Sequence, residues 1–237
     1  IIILKNIPRR PAIRTGSKDI GNGKMSEGLK FGILHWGPCV VKTKADQATI
    51  DLLLSEGEAS KEDASPELAG VLNNQFHYRD KNKFSKFMEK TFNLYNHAIS
   101  QWKIWPKENV PSTYYLEKLW VNFQGPNEFN PPHSHGGALS FVIFLKVPLK
   151  LRAENQNYKG LSAGPGGITF IYGDTEDRCI SNHSVFPEEG DMYIFPAWLK
   201  HWVYPFKSDC TRVSVSGNVM DKVDLGKLKI AGGNGKI

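Results

Sequence analysis

The sequence reads Asn130-Pro131-Pro132-His133-Ser134-His135-Gly136-Gly137 at its most informative point. Side chains two residues apart on a β-strand point to the same side, so His133 and His135 can converge on one ion. A third histidine, His201, comes much later in the chain and can close such a site from a neighbouring strand. Neutral imidazole is a common metal ligand, and three protein ligands leave coordination positions open. The pattern therefore predicts a metal centre suited to redox chemistry.

A candidate anion-binding pair follows the third histidine. Arg212 and Ser214 share one strand face by the same two-residue rule. A guanidinium is planar, permanently charged and forked, so it holds a carboxylate through two parallel hydrogen bonds better than lysine does. We therefore expect a carboxylate to bind beside the metal.

From Tyr114 to Asn218 the chain resembles the 2-oxoglutarate and Fe(II)-dependent oxygenases. The resemblance rests on the order His-x-(Asp or His), a long gap, a second His, an Arg and then a Ser two residues later. It is most similar to the prolyl-4-hydroxylase-like branch of marine bacteria and their phages. The resemblance implies Fe(II) and 2-oxoglutarate as cofactors, with His133 and His201 as iron ligands. It also implies that Arg212 and Ser214 bind the distal carboxylate of 2-oxoglutarate, and it puts His135 where the family usually has a carboxylate.

The histidine at position 135 departs from the usual facial triad of two histidines and one carboxylate. It removes one negative charge from the site and is expected to weaken the binding of a hard divalent ion. Three outcomes are open at this point. His135 replaces the carboxylate, Glu128 enters from the adjoining loop, or the site has lost its metal and activity. We adopt the first as the prediction.

The sequence pattern in the second half of the chain predicts a mainly β fold with flanking helices. The expected architecture is a double-stranded β-helix (jelly roll, cupin-like). Short β-rich runs separated by turn residues are typical of a sandwich or jelly roll. The same architecture follows from the family resemblance. The predicted strands are Leu119–Phe123, Leu139–Val147, Gly167–Tyr172, Asp191–Phe195 and Arg212–Val219, with no helix between them.

Helical patterns fall in the first half of the chain. Apolar residues recur at three to four positions from Phe84 to Trp102, and a shorter helix is predicted from Ala45 to Leu54. Ser65-Pro66-Glu67 suggests another helix start, and Phe31–Val41 reads as an edge strand or extended strip.

Four segments are predicted along the chain. They are a basic N-terminal extension (1–30), a largely helical region packing on the barrel (31–110), the β-helix catalytic domain (111–220) and a C-terminal tail (221–237). Residues 160–167 and 173–189 are predicted to be long connections, which in compact domains are often binding elements or lids.

Composition and charge exclude several classes of function. The net charge is +6, and residues 1–24 alone carry six basic residues against one acidic residue. Such an arm could bind nucleic acid, but the aromatic residues for base stacking are missing, so a solvated extension is the preferred interpretation. No apolar run reaches the length of a membrane span, and Cys39, Cys179 and Cys210 show no paired spacing. We expect no membrane partner and a cytoplasmic location, in a bacterial host or a phage-infected cell.

Three functional hypotheses follow. The leading one is an iron- and 2-oxoglutarate-dependent oxygenase that uses O2 to hydroxylate an unactivated carbon-hydrogen bond. Its candidate substrates are a prolyl or other peptidyl side chain and a small molecule. The second is a three-histidine cupin-type dioxygenase without 2-oxoglutarate, in which Arg212 would bind the substrate itself. The third is a non-enzymatic jelly-roll protein of a phage particle. Trp120, Asn122 and Trp198 are candidates for substrate or second-layer contacts, although large aromatics beside a barrel more often pack in its core.

Overall fold

The computed structural model describes residues 24–25, 29–30, 37–101, 113–174 and 179–221. The chain divides into two compact units, Ile1–Trp36 and Gly37–Ile237. The described part of the first unit is an antiparallel pair of short strands, β1 (Lys24–Met25) and β2 (Leu29–Lys30). The predicted basic arm, apart from Lys24, lies outside the described residues, so its role stays a prediction.

The second unit contains the remaining strands and the helices. Its strands are β3 (Val41–Lys44), β4 (Glu62–Asp63), β5 (Gln75–His77), β6 (Tyr114–Gln124), β7 (Asn130–His133), β8 (Leu139–Lys146), β9 (Ile168–Ile171), β10 (Asn182–Val185), β11 (Asp191–Pro196), β12 (Lys200–Val203) and β13 (Arg212–Asp221). Its α-helices are α1 (Gln47–Glu58), α2 (Ser85–Ser100) and α3 (Leu149–Gln156). Short 3-10 helices lie at Ser65–Glu67 and Lys81–Phe84.

These strands form two antiparallel sheets. A seven-stranded sheet has the order β3-β11-β8-β13-β6-β5-β4, and a four-stranded sheet has the order β10-β9-β12-β7. Buried side chains of both sheets share one apolar cluster, which includes Phe144 and Tyr193 from the larger sheet and Phe170 and Val203 from the smaller one. The predicted mainly β architecture with flanking helices is therefore confirmed.

The central strand β8 is buried on both faces, which explains its nearly continuous apolar sequence. Val142 and Phe144 point into the cluster between the sheets. Phe141 and Ile143 alternate with them and pack in a second cluster. That second cluster includes Leu53 of α1 and the α2 residues Met88 and Phe92, so the helices cover the outer face of the larger sheet.

Most predicted elements are confirmed. Helix α2 matches the periodic segment from Phe84 to Trp102, and α1 extends the predicted Ala45–Leu54 helix to Glu58. The five predicted strands correspond to β6, β8, β9, β11 and β13. The division into four segments stays a prediction.

Three expectations need correction. Helix α3 lies between β8 and β9, where no helix was expected, because its sequence is mostly polar and Leu151 is its only buried residue. Strand β10 lies inside the predicted 173–189 connection. The helix expected near Ser65 is a single 3-10 turn of three residues. The predicted edge strand or extended strip Phe31–Val41 stays a prediction, because residues 31–36 lie outside the described part; at its end, Val41 begins the edge strand β3. Among the described residues, no helix is long and apolar enough to cross a membrane.

Candidate metal centre

Three histidine side chains come together at one end of the smaller sheet. His133 ends β7 and lies directly opposite His201 of β12 in the strand register. His135 follows in the loop, where its backbone N–H donates to the carbonyl oxygen of Ala197 at 2.8 Å. One ligand atom from each ring lies within 4.8 Å of the others. In the described ranges, this is the one cluster of three or more side chains able to hold a metal ion.

Hydrogen bonds to the backbone orient two of the three rings. His133 Nδ1 lies 2.7 Å from the carbonyl oxygen of Pro131, and His201 Nδ1 lies 3.0 Å from that of Leu199. A carbonyl oxygen only accepts, so each Nδ1 carries the hydrogen and each Nε2 keeps a free lone pair. This second layer of contacts is typical of metal-ligating histidines, since it fixes both tautomer and ring orientation.

Burial keeps all three imidazoles neutral. Desolvation lowers the pKa of His201 to about 3, with a further contribution from His133. Desolvation and the neighbouring His133 lower the pKa of His135 to about 4, and burial also lowers the pKa of His133. A metal ion arriving at neutral pH would therefore not have to displace protons.

The histidines line a cavity between the sheets that also contains a buried cation, Arg212. Only 2% of this residue is exposed, and Nη1 donates to the carbonyl oxygen of Gly166 at 2.7 Å. Its Nε has no hydrogen-bond partner, and the described residues supply no ion pair to the guanidinium. Desolvation lowers its pKa to about 9, which leaves the group charged at neutral pH. A buried charge without a counter-ion is costly, so the site suits an anionic ligand.

The other predicted site residues divide into buried and exposed ones. Ser214 lies opposite Asn122 on the neighbouring strand, and both are buried and line the cavity. Trp120 is also buried there, with its ring centroid 5.8 Å from that of His135. Trp198 is different, because 55% of it is exposed and its ring lies against Tyr172. The expectation that Trp198 packs in the core is wrong, because the tight turn before β12 directs it outward.

The alternative carboxylate, Glu128, is bound elsewhere. Its Oε1 accepts from the backbone N–H and the side-chain amide of Asn73, and its Oε2 accepts from the backbone N–H of Gly125 at 2.7 Å. It does not belong to the histidine cluster. Glu128 therefore closes a turn, and none of the described carboxylates joins the three histidines as the usual triad would require.

Sequence reasoning missed one part of the cavity wall. Gln75 of β5 and the segment 68–70 line the cavity, although they precede the histidines by dozens of residues. Strand β5 has only three residues, so it gives no alternation pattern. Nothing in the sequence shows that it pairs with β6.

Residues 118–218 match the family model described as "Putative 2OG-Fe(II) oxygenase". Over these residues, the chain is similar to the 2OG-Fe(II) oxygenases. A comparison with curated proteins found no match. The narrower likeness to marine bacterial and phage enzymes stays a prediction.

Solved structures of this superfamily share the fold. A prolyl-4-hydroxylase from Pseudomonas putida is 13% identical, with a TM-score of 0.50, over 77% of this chain and 92% of that one. The alpha ketoglutarate dependent carbocyclase SnoK from nogalamycin biosynthesis is 12% identical, with a TM-score of 0.51, over 77% and 79%. The epimerase SnoN from the same biosynthesis is 16% identical, with a TM-score of 0.50, over 77% and 76%. These likenesses confirm the double-stranded β-helix.

The residues of this oxygenase fit its expected cofactors. Three neutral imidazoles suit a divalent iron ion, and Arg212, whose Nε has no hydrogen-bond partner, suits a carboxylate of 2-oxoglutarate. Three neutral ligands leave the full 2+ charge of iron uncompensated, so the dianion 2-oxoglutarate would supply the negative charge that a protein carboxylate usually provides. The family match over residues 118–218 favours the leading hypothesis over a cupin-type dioxygenase and over a non-enzymatic phage protein.

Glu128→Gln tests whether this carboxylate contributes to metal binding. The variant should bind Fe(II) with unchanged affinity and unfold about 1 kcal/mol more easily, because the charge-assisted hydrogen bonds to Asn73 and Gly125 weaken. Anaerobic iron titration and thermal unfolding would measure the two effects. A large loss of iron affinity without a loss of fold would show that Glu128 reaches the metal.

Proposed function

We propose that this oxygenase hydroxylates an unactivated carbon-hydrogen bond in a peptide, with a prolyl side chain as the first candidate. The observation that carries the proposal is the gathering of three neutral imidazoles and one guanidinium without an ion-pair partner among the described residues around the same cavity. The likeness to a prolyl-4-hydroxylase from Pseudomonas putida supports the choice of a peptidyl substrate. 2-Oxoglutarate and O2 are the co-substrates of the superfamily.

The proposed roles divide between metal binding and co-substrate binding. His133, His135 and His201 would hold iron, and the backbone contacts of His133 and His201 keep their Nε2 lone pairs available. Bound iron supplies the redox chemistry in which 2-oxoglutarate loses CO2 and the two atoms of O2 end in succinate and in the new hydroxyl group. Arg212, with Ser214 on the same strand face, would bind the distal carboxylate.

The apolar part of the wall has a separate role. Val142, Phe144, Ile168 and Val203 are all buried and line the cavity beside the polar residues. They exclude water from around the guanidinium, which strengthens its attraction for a carboxylate. Phe144 also lies 5.2 Å below the Arg212 guanidinium and holds it in place.

The proposed activity can be tested with purified protein. Under anaerobic loading with Fe(II), admission of O2 should give succinate from 2-oxoglutarate, and proline-containing peptides should accelerate its release and gain one oxygen atom by mass spectrometry. A control reaction without 2-oxoglutarate should leave the peptide unchanged. Succinate release without modification of any peptide would keep the oxygenase chemistry and reject the peptidyl substrate.

The cellular location is part of the proposal. Cys39, Cys179 and Cys210 are free thiols, which supports a reducing compartment such as the cytoplasm. Binding of nucleic acid by residues 1–24 stays the less favoured alternative.

A further inference from the structure

One buried oxygen in the cavity wall has no hydrogen-bond partner. Gln75 is 1% exposed, and its Nε2 donates to Asn122 Oδ1 at 2.8 Å. Its Oε1 is buried and unpartnered. Among the buried polar side-chain atoms without a partner in the described residues, only Gln75 Oε1 and Arg212 Nε belong to residues that line this cavity. An unpaired buried acceptor costs about 1–3 kcal/mol, so its persistence needs an explanation.

Gln75 belongs to a row of polar residues that crosses three strands. It lies opposite Asn122 of β6, which in turn lies opposite Ser214 of β13. Residues opposite one another in a sheet point to the same face, so the row faces the cavity. Gln75 therefore occupies the end of the row away from Ser214 and from the proposed carboxylate site.

The loop before β5 holds the Gln75 amide in position. A Cβ added to Gly70 would lie 3.0 Å from Gln75 Nε2 and would meet Leu72 and the side-chain oxygen of Asn130 more closely still. The segment 68–70 can approach so closely only because Gly70 has no side chain. Gln75 is thus packed between this segment and Asn122, which limits its movement and makes it a fixed hydrogen-bond acceptor.

2-Oxoglutarate cannot provide the missing donor. As a dianion it carries only acceptor oxygens, which suit Arg212 and would repel the Gln75 oxygen. Another ligand in the cavity can supply the donor, and a peptide substrate carries one at nearly every residue in its backbone N–H. A hydrocarbon chain without N–H or O–H groups would leave the Gln75 oxygen unpaired.

We propose that Gln75 is a specificity-determining residue, which accepts a hydrogen bond from a backbone amide N–H of the peptide close to the carbon that is hydroxylated. This inference rests on the peptidyl substrate proposed above. It gives the N-terminal region a role in selecting the substrate, because β5 lies outside residues 118–218 that match the superfamily.

A peptide with one N–H removed tests the inference. The probe is a proline-containing peptide that the enzyme hydroxylates, compared with analogues in which single amides next to the target proline are replaced by esters. For wild-type protein, one ester should lower kcat/KM about tenfold, since a site built around a hydrogen bond is left with an unpaired buried acceptor. The Gln75→Met variant has no acceptor oxygen at this position, so its kcat/KM should be nearly the same for the amide peptide and for that ester analogue. Gln75→Glu, which keeps an acceptor, should retain the preference for the amide.

Gln124→Met provides a matched control. Gln124 is also buried, and its Oε1 also lacks a partner, but it does not line the cavity. This variant should lower stability and leave the ratio of amide to ester turnover unchanged. If Gln75→Met keeps the wild-type preference, or if no ester affects the wild-type enzyme, the inference is wrong while the proposed function stands. If no peptide is hydroxylated at all, the proposed peptidyl substrate is wrong and the inference falls with it.

Discussion

His201→Ala should remove iron binding and turnover together. His201 is the most buried of the three histidines, and its Nδ1 is held by Leu199, so its Nε2 is fixed toward the cluster. Removing one hydrogen-bond partner of a metal ligand commonly lowers metal affinity or activity about 10- to 100-fold. Removing the ligand itself should lower both by more. Anaerobic iron titration and succinate release would measure the two effects.

Two further variants separate metal binding from folding. His201→Gln keeps most of the side-chain volume and should fold, yet it should also lose iron, because an amide is a poorer ligand than imidazole. His183→Ala changes an exposed histidine of β10 that is outside the cluster, and it should bind iron normally. Full iron content in a folded His201→Gln protein would contradict its role as a ligand.

Arg212→Met should have opposite effects on stability and on co-substrate binding. Removing one partner of a buried, hydrogen-bonded charge pair typically costs about 2–5 kcal/mol, so 2-oxoglutarate affinity should fall by roughly two orders of magnitude or more. Without 2-oxoglutarate, the free energy of unfolding of the variant should equal that of the wild type or exceed it by about 1–4 kcal/mol. The reason is that an apolar side chain replaces a buried charge without an ion-pair partner. Loss of the bond to Gly166 offsets part of this gain.

Calorimetric titration with 2-oxoglutarate and thermal unfolding without it would measure these effects. Arg212→Lys is the matched control, since it keeps the charge and loses the forked geometry, and it should bind 2-oxoglutarate with intermediate affinity. An Arg212→Met protein that binds 2-oxoglutarate as the wild type does would show that the carboxylate is held elsewhere. Strong destabilisation would show that Arg212 is mainly a structural residue.

The metal centre could be predicted because its signals are local. The pairing of Arg212 with Ser214 depends only on strand periodicity. The spacing of His133 and His135 also pointed to the site, although β7 ends at His133 and His135 lies in the loop that follows. The strands with long apolar runs were also evident, because β8 is buried on both faces. For these residues, the burial seen in the structure agrees with what the local sequence pattern predicts.

The rest of the cavity depends on pairings that the sequence does not encode locally. Gln75 reaches the site through a three-residue strand that pairs with β6, whose residue Asn122 is far along the chain. Strand β7 contains two consecutive prolines, which read as a turn, yet it lies at the edge of the smaller sheet, where proline is tolerated. Helix α3 buries little apolar surface and so has no helical pattern. The exposure of Trp198 likewise follows from a tight turn that composition does not reveal.

Crystals grown anaerobically with Fe(II) and 2-oxoglutarate, with data collected at the iron absorption edge, would give the most direct test. We expect a single anomalous peak at bonding distance from His133, His135 and His201, with the co-substrate reaching from the metal to Arg212. An iron peak bonded to Glu128 or to only two of the imidazoles, or a co-substrate directed away from Arg212, would contradict the proposed three-histidine centre.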